Sequence, residues 1–149
     1  MNKVKSSQQG QGRKRLRCLV LLPFKATSSA LEHTIFQVLK ENGVEPYSFR
    51  EDLPPGALWV DAVYRLLRST DFVIADVSQN DPNIMFELGV AHGLGKPFVT
   101  LISSNSANRP PTDLAGYQFI SYDPQHLYGL KSRLGSFVEY VSSRAEAGE

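Results

Sequence analysis

Apolar and polar positions change rhythm repeatedly along this chain, and the changes mark out alternating strands and helices. Residues 17–23 (RCLVLLP) are a continuous apolar run, as expected for a strand buried on both faces. Ser28 and Ser29 then offer an N-cap to a helix running to about Asn42, with Leu31, Ile35, Val38 and Leu39 at 3.6-residue spacing. Gly43 ends that helix. Residues 44–50 (VEPYSFR) form a weaker strand, and Pro46 places it at a sheet edge. Residues 52–56 (DLPPG) are a loop, and 57–69 a helix with Val60, Val63, Leu66 and Leu67 on one face.

Residues 71–77 (DFVIADV) form the third strand and 78–81 a polar loop. Asp81-Pro82 is the pattern of an N-cap followed by proline at the first helical position, so a helix is expected to about Gly93 or Leu94, with Gly95 at its C-terminus. Residues 96–102 (KPFVTLI) are the fourth strand, 103–113 a long Ser/Asn/Pro loop, and 117–122 a short fifth strand. A last helix is expected over about 124–141, striped by Leu127, Leu130, Leu134, Phe137 and Val138, with a frayed end beyond it.

Strands alternating with helices imply a parallel sheet covered on both faces, with right-handed crossovers. The expected fold class is α/β: a flavodoxin-like, Rossmann-like three-layer sandwich with a five-stranded parallel sheet in the order 2-1-3-4-5. Ligands of such sheets bind beyond the carboxyl ends of strands 1 and 3, where the strand order reverses. That rule points to the loops at 23–29 and 78–82.

Length and composition fit this picture without sharpening it. The chain has 149 residues, enough for one domain with its own core, and 21% are charged. A net charge of +1 gives no reason to expect nucleic acid or a membrane as partner. The charge is uneven, since seven Lys and Arg residues precede the first acidic residue, Glu32. Residues 1–15 are read as a disordered basic tail, 16–143 as the domain and 144–149 as a frayed terminus. No signal peptide or apolar span is recognisable. Cys18 is the only cysteine, which excludes an internal disulfide and suits a reduced, cytoplasmic setting.

The chemistry concentrates between Asp71 and Lys96. Asp76 ends an otherwise apolar strand, and Glu87 lies in the following helix among Met85, Phe86, Leu88, Val90 and Ala91. Apolar neighbours almost all round imply a largely buried helix, and a carboxylate there needs a reason because unpaired burial is costly. Asn83 precedes Glu87 by four residues and shares its face. The helix N-terminus offers N–H groups suited to phosphate or a sugar hydroxyl. Gly89, Gly93 and Gly95 suggest close approach of backbone or ligand. Each residue also has a plainer reading: Asp76 as a loop cap, Asp81 as an N-cap, His92 as a surface histidine. His33, His92, His126 and Cys18 lack metal-ligand spacing. Walker A, G-x-G-x-x-G and G-x-S-x-G patterns are absent, so kinase, GTPase, dehydrogenase and serine-hydrolase readings lack support.

The stretch DFVIADVSQNDPNIMFELGVAHGLGKPFVTLI resembles the signature of the nucleoside 2-deoxyribosyltransferase-like superfamily. An Asp-ended strand leads through a Pro-Asn loop to a helix with Glu-Leu-Gly and Ala-x-x-x-Gly-Lys-Pro. RCLVLLPF and FREDLPPGALWVDAVYRLLRST also resemble segments of such proteins. The resemblance implies cleavage or transfer at the N-glycosidic bond of a nucleoside or nucleotide, with Glu87 as nucleophile and Asp76 binding or protonating the base. It implies that the first loop, with Phe24 and Lys25, wraps the base or sugar. The residues themselves add Ser78 and Asn83 as substrate-binding candidates beside the helix N-terminus, and Arg109, the only cation of the 103–113 loop, which is expected to be mobile over the site, as a ligand for a phosphate or a carboxylate or else an exposed surface arginine. No metal or other cofactor is called for, and a homo-oligomer is allowed. Related Toll/interleukin-receptor-like domains cleave nucleotides with a similarly placed Glu. The alternatives are therefore a non-catalytic nucleotide sensor and a Toll/interleukin-receptor-like signalling module. The enzyme requires Asp76 and Glu87 to line one pocket; the signalling module requires an exposed apolar patch instead.

Overall fold

A computed structural model describes residues 14–23, 29–48, 58–108 and 119–148. The elements in chain order are β1 (Arg17–Leu21), α1 (Ser29–Glu41), β2 (Glu45–Ser48), α2 (Trp59–Ser69), β3 (Phe72–Asp76), α3 (Pro82–Gly93), β4 (Phe98–Ser103), β5 (Phe119–Tyr122) and α4 (Tyr128–Ala147). The sheet order is β2-β1-β3-β4-β5 with every neighbouring pair parallel, the expected fold. Pro46 does lie on an edge strand, where its missing N–H matters least.

Period-two alternation in the central strands divides the core in two. Cys18, Val20, Phe72 and Ile74 point to the layer of α1 and α4, against Leu31, Ile35, Val38, Leu130, Leu134 and Val138. Leu19, Leu21, Val73, Ala75 and Val77 point to the layer of α2 and α3, against Val63, Leu67, Ile84, Leu88 and Ala91. Cys18 is fully buried, and burial pushes its thiol pKa well up, so it is a core residue and not a reactive one.

The glycine and lysine of the Gly-Lys-Pro string have structural uses. Gly95 has φ 68°, the left-handed conformation that closes α3, and Gly43 closes α1 with φ 72°. Lys96 Nζ donates to the carbonyls of Thr70 (2.6 Å) and Arg68 (3.2 Å), tying the start of β4 to the end of α2. A cation there also complements the negative end of that helix.

Several expectations need correction. The last helix begins at Tyr128, because residues 123–126 form a turn in which the Gln125 N–H donates to Asp123 Oδ1. It then runs past the end of the apolar stripe to Ala147 and closes at Gly148, φ 75°. Residues 142–147 contain no helix breaker, and Arg144 Nη1 donates to the Tyr140 hydroxyl one turn back, so the helix outlasts the face it buries. Helix α3 is not apolar-buried all round: Ile84, Glu87, Leu88 and Ala91 are buried, while Phe86 is 54% exposed and Gly89, His92 and Gly93 face solvent. On α2, Val60 is likewise exposed while Val63 and Leu67 are buried.

Nor do Gly89 and Gly93 mark a close approach, since a Cβ at either would meet nothing within 4 Å. Gly89→Ala is therefore expected to raise stability by about 0.5–1 kcal/mol through helix propensity alone. Thermal unfolding checks this, and a loss of stability would restore the close-contact reading.

Candidate active site

Glu87 is held by the second and third turns of α3, whose N-terminus is fixed by Asp81 and Pro82. Asp81 is the N-cap: its Oδ1 accepts from the Asn83 N–H at 2.9 Å. The helix end that could have received a phosphate therefore already holds a carboxylate. Asn83 and Glu87, four residues apart, both face a cavity of about 240 Å³ at the carboxyl end of β1. Val20, Leu21 and Leu22 supply its floor, Ser48 comes from the end of β2, Trp59 from the start of α2, and Glu32 from the first turn of α1. This is the region of the sheet's reversal point, between β1 and β3.

Glu87 is only 6% exposed and has no hydrogen-bond partner among the described residues. Burial, and secondarily the negative charge of Asp81, raises its pKa from 4.5 to about 7. The folded state thus holds the proton more tightly than the unfolded chain. The associated stabilisation is full below about pH 4.5 and is lost as pH rises through about 7. Glu87→Gln removes the ionisation. The variant is expected to gain on the wild type between those two pH values, by on the order of 2 kcal/mol at pH 8. Parallel unfolding curves at pH 4.5 and pH 8 measure this. An advantage no larger at pH 8 than at pH 4.5 would contradict the burial of an ionisable carboxyl.

Asp76 belongs elsewhere. It follows Phe72 and Ile74 in the alternation, so its side chain faces the α1/α4 layer, whereas Glu87 lies in the α2/α3 layer. It lines a separate cavity of about 190 Å³ with Leu31, Ser78, Gln79, Ser103 and Tyr122 among its walls. The carboxylate is 3% exposed and already engaged. Oδ1 accepts from the N–H (2.9 Å) and hydroxyl of Ser78, and Oδ2 accepts from the Tyr122 hydroxyl at 2.7 Å. Burial, then the charge and hydrogen bond of Asp76, pushes the Tyr122 hydroxyl pKa well above its usual value, so the tyrosine remains a donor. The two carboxylates expected to share one pocket therefore line two, and Ser78 goes with Asp76, not with Glu87.

The loop after β4 joins this network. Ser103 N–H donates to Ser78 Oγ at 2.7 Å, and Ser106 Oγ and Asn108 Nδ2 donate to the Ser78 carbonyl at 2.6 and 3.1 Å. Its first half is thus anchored by polar groups, in place of the apolar anchor it lacks. Phe24, Lys25 and Arg109 lie outside the described residues, as does the rest of that loop. Among the described residues no cluster of His, Cys, Asp and Glu could hold a metal ion, and no helix is long and apolar enough to cross a membrane.

Glu32, Ser48 and Trp59 are cavity residues that sequence reasoning missed. A carboxylate in the first turn after β1, at the reversal point, was the available signal for Glu32. Nothing in the sequence linked Ser48 or Trp59 to it.

Known structures share this fold and are distant in sequence. The TIR domain of the Toll-related receptor TRR-2 from Hydra magnipapillata matches over 84% of this chain and 97% of its own, with TM-score 0.64 and 10% identity. The CMP N-glycosidase BcmB from Clostridium botulinum matches over 72% and 89%, with TM-score 0.54 and 19% identity. A diflavin flavoprotein A3 from Nostoc sp. matches over 92% and 100%, with TM-score 0.59 and 14% identity. The likeness is one of fold alone. No family model matches the sequence, and no curated protein does.

Proposed function

We propose that this chain cleaves or transfers the N-glycosidic bond of a nucleoside or nucleotide, with Glu87 as the attacking carboxylate. The observation that carries the reading is the buried Glu87, without a hydrogen-bond partner among the described residues, facing a cavity at the reversal point of the sheet. The fold shared with an N-glycosidase supports it. In the proposed reaction a Glu87 oxygen bonds to the anomeric carbon, and the C1′–N bond breaks with its electron pair going to the base. Water or a second base then displaces Glu87. A poorly hydrated carboxylate is a stronger nucleophile than a hydrated one, and a pKa near 7 still leaves about half of it ionised at neutral pH. Asn83 shares the cavity and is suited to a sugar hydroxyl. Asp76 is assigned the positioning of the Ser78 loop, because both its oxygens are already engaged.

The test is incubation with a panel of nucleosides, nucleotides and NAD, followed by chromatography for free base. Release from at least one member is expected, and none from any would refute the reading. One observation favours a second reading, a self-associating signalling module: Leu58, Trp59, Val60 and Tyr64 are exposed together at the start of α2. Concentration-dependent dimerisation abolished by Val60→Asp, without any base release, would select it.

A further inference from the structure

Two side chains of α3 face the cavity without a hydrogen-bond partner among the described residues. Glu87 is one, and it is more than nine-tenths buried. Asn83 is the other. It is exposed, and only its backbone N–H is engaged, by Asp81, which leaves its side-chain amide to the cavity. The two residues are four apart on one helix, which sets their Cβ atoms about 5–6 Å from each other on one face.

We propose that Asn83 holds the 2′-hydroxyl of the sugar, so that the site selects ribosyl over 2-deoxyribosyl substrates. The inference rests on the proposed function for the place of the sugar and makes a separate claim about which sugar is taken.

Stereochemistry argues for it. A carboxylate that displaces a nucleobase meets C1′ on the face of the ring opposite the base. In a β-ribonucleoside the 2′- and 3′-hydroxyls lie on that same face, and the 5′-carbon lies on the other. With Glu87 at C1′, the sugar turns its hydroxyl-bearing face to α3. A side chain one turn away on that helix then meets a hydroxyl, not the base or the 5′ group. The 2′-oxygen is the nearer, being attached to the carbon next to C1′, whereas the 3′-oxygen stands one carbon further on. A primary amide carries both donor and acceptor, so it can give and take a hydrogen bond at one hydroxyl. The contact also offsets a chemical handicap, because the 2′-oxygen withdraws electrons from the oxocarbenium-like centre. An amide oxygen accepting from the 2′-hydroxyl returns electron density to it, and such a bond strengthens in the transition state. A 2-deoxyribosyl substrate would leave the amide to water.

The Glu87→Gln protein, which is expected not to turn substrate over, separates binding from chemistry. It is titrated by calorimetry with adenosine, guanosine, cytidine and uridine, each with and without a 5′-phosphate, and with the 2′-deoxy and 3′-deoxy forms of each. The ribosyl form is expected to bind roughly three- to tenfold more tightly than the 2′-deoxy form, the worth of one net hydrogen bond. The 3′-deoxy form should lose less. Adding Asn83→Ala should erase the 2′ preference, while the backbone N–H that Asp81 caps remains. In the protein that keeps Glu87, Asn83→Ala should lower the ratio of kcat/KM for ribosyl over 2-deoxyribosyl substrate by roughly tenfold or more, because the bond strengthens in the transition state. Equal or tighter binding of the 2′-deoxy form, a larger loss from the 3′-deoxy form, a preference that survives Asn83→Ala, or no binding of any of these nucleosides overturns the proposal. A 2′ preference that depends on Asn83, in a protein whose wild type cleaves nothing, would refute the glycosidic function and leave this site standing. Cleavage by the wild type without preference for ribose would do the reverse.

Discussion

Glu87→Gln is expected to reduce base release by roughly a thousandfold or more while the protein stays folded. The amide is nearly isosteric with the carboxyl and suits a 6%-exposed position at least as well, because it carries no charge to desolvate. What it cannot do is form the ester bond to the anomeric carbon. A general acid or a substrate contact would give a smaller loss, of about 100- to 10,000-fold for an acid. Rate alone leaves the two overlapping, so the pH profile completes the test. A nucleophile must be ionised, and wild-type activity should rise as pH increases through about 7, the value to which burial and Asp81 bring Glu87. Activity that falls through that range would make Glu87 a proton donor. A variant with full activity would remove Glu87 from the reaction.

Asp76→Ala is expected to act on stability, not on the chemical step. It would leave the Tyr122 hydroxyl and the Ser78 N–H and hydroxyl without their acceptor in a buried setting. Ser78 is also what the loop after β4 is tied to, through Ser103, Ser106 and Asn108. Orphaned buried donors to a charged group cost about 3 kcal/mol, which for a domain of this size lowers Tm by roughly 6–12 °C. Below the transition, turnover per folded molecule should stay within about threefold of wild type, since a misplaced loop costs less than a missing acid. An unchanged Tm with activity lost would return Asp76 to the catalytic role first expected of it.

Much of the fold was legible because each element carries its own periodicity. The unbroken apolar runs of β1 and β3 announced a sheet covered on both sides, and Pro46 announced the edge. The spacing of Leu31, Ile35, Val38 and Leu39 announced α1. Helix ends were less legible where they are set by something other than the buried stripe. Helix α4 runs one and a half turns past Val141 because nothing stops it before Gly148. The glycines of α3 look like packing residues in sequence and stand in solvent in the structure.

For the site, Glu87 could be singled out because a carboxylate among apolar neighbours stands out in any helix. Its partnership with Asp76 failed on parity. Phe72, Ile74 and Asp76 alternate onto one face of the sheet, and α3 packs on the other, so closeness in sequence placed the two side chains on opposite sides. That alternation is visible in the sequence, but its consequence depends on which helices cover which face. Glu32, Ser48 and Trp59 come together from three elements only when the sheet forms, and no local pattern carries that information.

The most direct measurement is the mass of the protein itself after mixing with a nucleoside fluorinated at the 2′ position, which destabilises an oxocarbenium-like centre and slows breakdown of a glycosyl ester. Capture also requires the ester to form faster than it breaks down, so the reagent should carry a reactive base. The account predicts a gain equal to the fluorinated sugar, located by peptide mapping on Glu87 and absent from the Glu87→Gln protein. Base release by the wild type with the sugar on another residue, or with no adduct even from reagents whose free base appears in a stoichiometric burst, would contradict it.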